Sequence, residues 1–182
     1  DHGGEPDAVG QNETVLAEVL ATRYTSGAET LFRGIFKLLP GHRLVFQNGE
    51  IVWESDGLTM NPIPSPVYAE GMVFATSGFQ GNKLKAIRLD GARGDITGTN
   101  SIVWQLDRDT PYVPSPLLYN GILYILKTNN GILSAFEAKT GKPHYQLQRL
   151  DAVPNVFASP VGADRRVYFP GREGTTLVIR SG

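Results

Sequence analysis

The sequence predicts an all-β protein, a partial β-propeller of about three four-stranded antiparallel blades, with a short N-terminal helix and hairpin as an appendage. Three observations support this prediction. Turn-forming residues are abundant, with 21 glycines and 12 prolines in the chain. Strand-like segments recur in a fixed order from Ile51 to Gly182. The landmarks Ser65, Ser115 and Ser159, each followed by proline, are spaced by 50 and then 44 residues, and a repeat of this length is typical of a propeller blade.

Each repeat contains the same four landmarks in the same order. The first is a strand with an aromatic residue, at 51–55 (IVWES), 102–106 (IVWQL) and 143–147 (PHYQL). A proline-rich connector follows, at 61–66, 110–116 and 153–160. Next comes a hairpin at 67–76, 117–126 and 161–170, with turns at Glu70-Gly71, Asn120-Gly121 and Asp164-Arg165. The last landmark is a closing strand at 84–90, 133–139 and 176–182. We therefore expect blades at about 51–101, 102–142 and 143–182.

The hairpin strands predict sheets that are buried on both faces. Ile122, Leu123, Tyr124 and Ile125 are consecutive apolar residues. Because a strand points successive side chains to opposite faces, such a run places apolar groups on both sides of the sheet. Blades that stack between two neighbours meet this condition.

The residues before the repeats are expected to form an appendage. Residues 1–11 are polar and glycine-rich, which predicts a disordered start. Asn12 can cap a short helix. The apolar stripe of that helix would consist of Val15, Leu16, Val19 and Leu20. Asn48-Gly49 lies between the β-formers Arg43–Phe46 and Ile51–Trp53, which predicts a hairpin. The chain begins with Asp1 and shows no signal peptide, so we expect a fragment of a larger repeat protein.

Composition excludes several classes of function. A formal net charge of −1 argues against nucleic acids and acidic membrane surfaces as partners. No apolar run approaches the roughly 20 residues of a membrane helix, so we expect no membrane insertion. The absence of cysteine excludes disulfides, thiol nucleophiles and cysteine-ligated metals. The three histidines, His2, His42 and His144, are too widely spaced to predict a metal site.

The segment from Ala135 to Tyr145 carries the most specific motif, Ala-x-Glu-x-x-Thr-Gly-Lys-x-x-Tyr. It resembles the docking motif of the pyrroloquinoline-quinone-like, or quinoprotein-type, propeller repeats, in which Asp and Trp replace Glu137 and Tyr145. The resemblance covers about residues 51–182. It implies that an aromatic ring packs between blades and that the Thr-Gly-Lys turn links the last strand of one blade to the outer strand of the next. The implied blade-docking residues are Trp53, Trp104, Thr140, Gly141, Lys142 and Tyr145. It also implies a bacterial parent that is periplasmic or secreted.

The resemblance implies no cofactor by itself. In the quinone dehydrogenases, the calcium ligands and a catalytic aspartate come from several blades, and none of them can be placed on this sequence. We therefore predict no catalytic, cofactor-binding or metal-binding residue. The alternative is a fragment of an oxidoreductase that depends on pyrroloquinoline quinone and calcium.

A second resemblance concerns the appendage, residues 12–50. Residues 13–50, with Tyr24, Thr30–Gly34 and Lys37–His42, resemble the end of the glutaminase domain of glutamine-dependent asparagine synthetases. The cysteine nucleophile and the pyrophosphate loop of that family are missing, which implies a catalytically empty segment. A remnant of an ATP-dependent asparagine synthetase is a third interpretation.

The proline-rich connectors are the candidate recognition surface, because equivalent loops gather on one rim of a propeller. Asn61, Tyr112, Asn155 and Phe157 are the residues that vary among them, as expected of a binding rim or of neutral drift. The predicted function is a non-enzymatic scaffold or protein-binding module. Its partner would be another protein, or a second copy joined through open blade faces. Those faces would be built from residues such as Ile51, Trp53, Val167 and Phe169.

Overall fold

The structure, a computed structural model, describes residues 43–47 and 49–182, and these residues form an all-β unit. The strands are β1 (Arg43–Gln47), β2 (Glu50–Ser55), β3 (Val67–Ala69), β4 (Met72–Ser77), β5 (Lys83–Arg88), β6 (Gly94–Asp95), β7 (Ile102–Leu106), β8 (Leu117–Tyr119), β9 (Ile122–Leu126), β10 (Ile132–Glu137), β11 (Pro143–Arg149), β12 (Val161–Ala163), β13 (Arg166–Pro170) and β14 (Thr176–Arg180). The predicted disordered start, the helix capped by Asn12 and most of the asparagine-synthetase-like segment lie outside the described residues.

These strands form four sheets. The first sheet has the order β1-β2-β6, the second β3-β4-β5-β7, the third β8-β9-β10-β11 and the fourth β12-β13-β14. All pairings are antiparallel except the short β2–β6 pair. The predicted all-β, antiparallel fold is therefore confirmed. The predicted hairpin around Gly49 is also present, as β1 and β2.

The tight turns have the backbone conformation that their sequences predict. Both central residues have positive φ angles in each turn: Glu70 50° and Gly71 76°, Asn120 53° and Gly121 75°, Asp164 47° and Arg165 55°. Two successive positive φ angles define the type I′ turn, whose twist matches that of a hairpin. Each turn therefore joins the first two strands of its sheet directly.

The sheets pack face to face in chain order, as the blades of a propeller do. Their first strands are neighbours, β3 beside β8 and β8 beside β12, so these strands lie nearest the common axis. One apolar cluster joins the second and third sheets through residues such as Phe74 and Ile125. Another joins the third and fourth sheets through Tyr124 and Phe169. Trp53 and Ile87 belong to the cluster between the first and second sheets.

A chain of hydrogen bonds links the connectors near the axis. The N–H of Ser65 donates to Oγ of Ser115, and the N–H of Ser115 donates to Oγ of Ser159, both at 2.9 Å. Proline follows each serine and fixes the backbone there. The repeated Ser-Pro landmark therefore holds successive connectors in one geometry.

The sheets group the strands differently from the predicted blade limits. The aromatic-containing strands β7 and β11 close the sheets before them, because β7 pairs with β5 and β11 pairs with β10. The physical reason is loop length: the short loop 138–142 returns the chain beside β10, whereas the longer connector 150–160 carries it to the next sheet. As a result the described residues form two four-stranded and two three-stranded sheets. Along this described part, no helix is long and apolar enough to cross a membrane.

Candidate binding rim and blade-docking residues

Trp104 occupies the junction between the second and third sheets. It lies on β7, and its ring centroid is 5.9 Å from that of Phe74 in its own sheet and 6.0 Å from that of Phe136 in the next. Its Nε1–H donates to the carbonyl oxygen of Ala138 at 2.8 Å. The indole therefore contacts both sheets and satisfies its only polar group across the junction.

The Thr140-Gly141 turn forms the surface on which the indole rests. A Cβ on Gly141 would lie 2.6 Å from Cδ2 of Trp104, so only glycine fits against the ring. Gly141 also has a φ of 70°, which favours glycine. The hydroxyl of Thr140 accepts the N–H of Lys142 at 3.2 Å, and the side chain of Lys142 is exposed.

Trp53 and Tyr145 occupy the corresponding positions on β2 and β11. Trp53 is 2% exposed and packs against the loop residues Ala92 and Ile96 that follow β5. Tyr145 packs into the cluster between the third and fourth sheets. Burial, assisted by Tyr124, raises the pKa of Tyr145 to about 12. Trp104 and Tyr145 thus stand on edge strands of their sheets and Trp53 on the middle strand of the first sheet, and each packs against the following sheet.

Lys85 is a junction residue that the sequence did not single out. It is 4% exposed, and its Nζ donates to Oγ of Ser55 at 3.1 Å and to the carbonyl oxygen of Asp56. Burial lowers the pKa of Lys85, and the nearby Asp56 carboxylate opposes that shift. The sequence feature that could have indicated this role is the position of Lys85, between the apolar residues Leu84 and Ala86 of β5. Its contacts connect the first and second sheets.

One end of the sheets carries the connectors together with the loops β4–β5, β9–β10 and β13–β14. These segments lie at the same end because antiparallel strands alternate in direction. We call this end the upper rim. Two of the predicted rim residues meet there. The Nδ2 of Asn61 donates to the hydroxyl of Tyr112 at 3.4 Å. The rings of Tyr112 and Phe79 are stacked, with centroids 5.1 Å apart and planes at 23°.

The other two predicted rim residues meet the β13–β14 loop. The backbone carbonyl of Asn155 accepts the N–H of Arg172 at 2.9 Å, and its Nδ2 donates to Glu173 at 3.5 Å. The guanidinium of Arg172 lies 5.7 Å from the ring centroid of Phe157. The structure therefore gathers the four predicted residues into two groups on the upper rim.

The upper rim also exposes apolar side chains that the sequence reasoning did not select. Met60 is 57% exposed and Ile63 is 46% exposed; the predicted rim residue Phe157 is also exposed, at 45%. All three belong to the connectors between sheets. Met60 and Ile63 could have been noticed in the sequence, because they are apolar residues in a proline-rich, turn-like segment. Such a segment contributes no strand to the core, so the core does not explain why they are apolar.

The residues predicted to form open blade faces are mostly buried, which corrects that expectation. Trp53, Val167 and Phe169 are at most 2% exposed, because alternation along β2 and β13 turns them toward the neighbouring sheet. Ile51 is 58% exposed as expected. The apolar residues exposed on the outer face of the fourth sheet are Val161 and Val178.

No metal-binding cluster is present in the part of the chain that the structure describes, where no three His, Asp or Glu residues converge. His144 lies in this part, with its Nε2 4.0 Å from a carboxylate oxygen of Glu137. His2 and His42 lie outside the described residues.

Comparisons with known proteins bear on the fold. No protein-family model matches the sequence, and no curated protein sequence matches it. The computationally designed Ika4 protein is similar in structure, with a TM-score of 0.51 and 13% identity over 74% of each chain. The designed Ika8 protein gives a TM-score of 0.50 and 12% identity over 74% of this chain, which spans 37% of Ika8.

A europium-containing methanol dehydrogenase gives a TM-score of 0.49 and 18% identity over 76% of this chain, which spans 25% of that enzyme. At such low identities the likenesses to the two designed proteins concern the fold alone. The path of the strands and their packing make the described unit a propeller-type stack of blades.

Proposed function

We propose that the chain acts as a non-enzymatic propeller scaffold that binds a protein partner on its upper rim. One observation carries this proposal: the connectors share a rigid framework but present different side chains to solvent. A rigid backbone with variable exposed residues is the arrangement used by other binding loops on stable scaffolds. The proposal does not require any catalytic group.

The framework is held by contacts that recur between sheets. Besides the serine chain, the hydroxyl of Thr110 donates to the carbonyl oxygen of Ser77 at 2.6 Å. Gly78 and Gly131 occupy the equivalent loops β4–β5 and β9–β10 and press against backbone atoms of the connectors at Pro111 and Val153. These contacts pre-organise the rim, which lowers the entropic cost of binding.

The exposed chemistry of the rim suits a protein surface. Met60, Ile63 and Phe157 supply apolar area, and Arg172 supplies a cation beside an aromatic ring. Methionine, aromatic residues and arginine are enriched in protein interfaces. Arg172 and Glu173 carry opposite charges, so recognition would depend on apolar fit with a polar border rather than on net charge.

A second copy of the chain is the other candidate partner. Val161 and Val178 are exposed on the outer face of the fourth sheet, beside the exposed Arg166 and Arg180. The exposed Glu50 and Glu54 of the first sheet provide charges of opposite sign. Association through these faces would leave the upper rim free.

One capture experiment with four baits tests these surfaces. The baits are the unaltered chain, a rim variant (M60S, I63S and F157S together), a face variant (V178K) and a control, Lys142→Ser. Lys142 is exposed and lies in the loop 138–142, at the end of the sheets opposite the upper rim. We expect a saturable partner to be retained by the chain, the face variant and the control. The rim variant should bind it at least tenfold more weakly, about 1.4 kcal/mol.

Undiminished capture by the rim variant would refute the rim proposal. If the captured protein is the chain itself and V178K abolishes its capture, the second copy is the partner instead. Sedimentation of each purified bait at micromolar concentration shows which one self-associates.

A further inference from the structure

A cavity of about 320 Å³ opens at the lower end of the junction between the second and third sheets. Met72, Phe74, Leu118 and Ala138 give it an apolar lining. Glu70 and Lys139 line it as well, and they form an exposed ion pair with 2.6 Å between Oε2 and Nζ. Its volume is at the lower end of the range for small-molecule pockets.

The next junction, between the third and fourth sheets, shows how the corresponding space can be filled. The ring of Tyr119 lies against Gly162, where a Cβ would come within 2.5 Å of Cγ of the tyrosine. The hydroxyl of Tyr119 accepts the N–H of Arg165 at 3.0 Å. The side chain of Tyr119 therefore fills this site, and its hydroxyl binds the backbone N–H of Arg165 in the hairpin turn.

A second tyrosine, Tyr124, also forms hydrogen bonds across this junction. The hydroxyl of Tyr124 accepts the N–H of Gly182 at 3.2 Å and shares a 3.0 Å hydrogen bond with Oγ of Ser181. Both amide donors at the lower end of this junction are thus satisfied by tyrosine hydroxyls.

The equivalent positions around the cavity lack both hydroxyls. Hairpin register matches Ala69 to Tyr119, since Ala69 pairs with Met72 as Tyr119 pairs with Ile122. It likewise matches Phe74 to Tyr124. Leu118 stands where Gly162 stands and takes up part of the space left by the missing ring.

Two residues that line the cavity, Gly121 and Lys139, each carry a backbone N–H donor. By the same alignment, the N–H of Gly121 corresponds to that of Arg165, and the N–H of Lys139 corresponds to that of Gly182. Within the described residues neither N–H donates a hydrogen bond to a protein acceptor. A ligand that brings a hydroxyl would satisfy a donor that the protein otherwise leaves to water.

We propose that this cavity binds a small, neutral phenol: one aromatic ring that carries a hydroxyl group. The ring would contact Phe74, Leu118 and Ala138, and its oxygen would accept the N–H of Gly121 or Lys139. Lys139 is paired with Glu70, and Glu137 is a second carboxylate in the lining, so an anionic ligand is disfavoured and the phenol would bind in its neutral form. The proposal is independent of the upper rim, which lies at the opposite end of the sheets.

Titration with 4-methylphenol, the side-chain analogue of tyrosine, tests the proposal by amide NMR. We expect saturable shifts of the Gly121 and Lys139 amide signals. Toluene, which has the ring without the hydroxyl, should bind at least several-fold more weakly. Absence of saturable shifts with 4-methylphenol, or equal binding of toluene, would overturn the proposed chemistry.

Variants then locate the binding. Replacing Ala69→Tyr together with Leu118→Gly copies the filled junction and should weaken 4-methylphenol binding at least tenfold. Ala69→Leu narrows the cavity with one change and should also weaken it, which provides a test if the double variant folds poorly. Tyr68→Ala, on the same strand but 64% exposed, is the control and should bind normally. Normal binding by either cavity variant would contradict the assignment.

Discussion

Replacing Trp104 with alanine is expected to lower the free energy of unfolding by about 3–5 kcal/mol, the usual cost of deleting a large aromatic side chain from a core. The indole contacts Phe74 and Phe136 on two different sheets, and its loss leaves a cavity between them. The carbonyl of Ala138 also loses its donor. For a chain of this length, each kcal/mol corresponds to a melting shift of roughly 2–4 °C.

Chemical denaturation of the variant and of a neighbour measures this effect. Gln105 is the matched control, because it follows Trp104 on the same strand but is exposed. Gln105→Ala should change stability by about 0.5 kcal/mol or less. A Trp104→Ala loss below about 1 kcal/mol would show that the ring does not join the two sheets.

Gly131→Ala is expected to destabilise the fold by about 2–4 kcal/mol, combining overpacking with strain in the adjoining hydrogen bonds. A Cβ at this position would lie 1.9 Å from the carbonyl oxygen of Val153, a backbone atom that cannot rotate away. Gly131 also donates to Pro154 at 2.9 Å and accepts from Leu150 at 2.7 Å. Relief of the clash would therefore pull the connector away from the loop.

The control for this prediction is the exposed neighbour Asn130. Its Nδ2 donates to the hydroxyl of Thr128 at 2.9 Å in an exposed loop. Asn130→Ala should leave the melting temperature within about 2 °C of the unaltered chain. Equal effects of the two substitutions would indicate that the loop and the connector are not tightly packed.

Much of the fold was predictable because the turn-forming residues and the sequence repeat indicated the same strands and hairpins. Gly71 and Gly121 fitted type I′ turns, which fixed the hairpins without knowledge of distant contacts. The Ser-Pro landmarks recurred because their serines form one hydrogen-bond chain. Trp104 stood out because its position recurred in each repeat.

The rest depended on information that the repeat does not contain. The repeat alone does not show whether β7 is the first strand of one sheet or the last strand of the sheet before it. Both groupings give strands that recur at the same spacing. The burial of Lys85 depends on Ser55 and Asp56 from another sheet. The cavity beside Ala69 depends on how the second and third sheets pack together, which the repeat pattern does not specify.

Proton–proton contacts measured by NMR test the central claim most directly, which is that successive sheets pack face to face and that aromatic rings cross each junction. The described fold requires contacts from the Trp104 ring to the α-protons of Gly141, and from the Tyr119 ring to those of Gly162. Because the rings cover these glycines, their α-proton signals should also be displaced upfield. If the Trp104 and Tyr119 rings contact only residues of their own sheets, and both glycines have ordinary shifts, the stacked-blade arrangement is wrong.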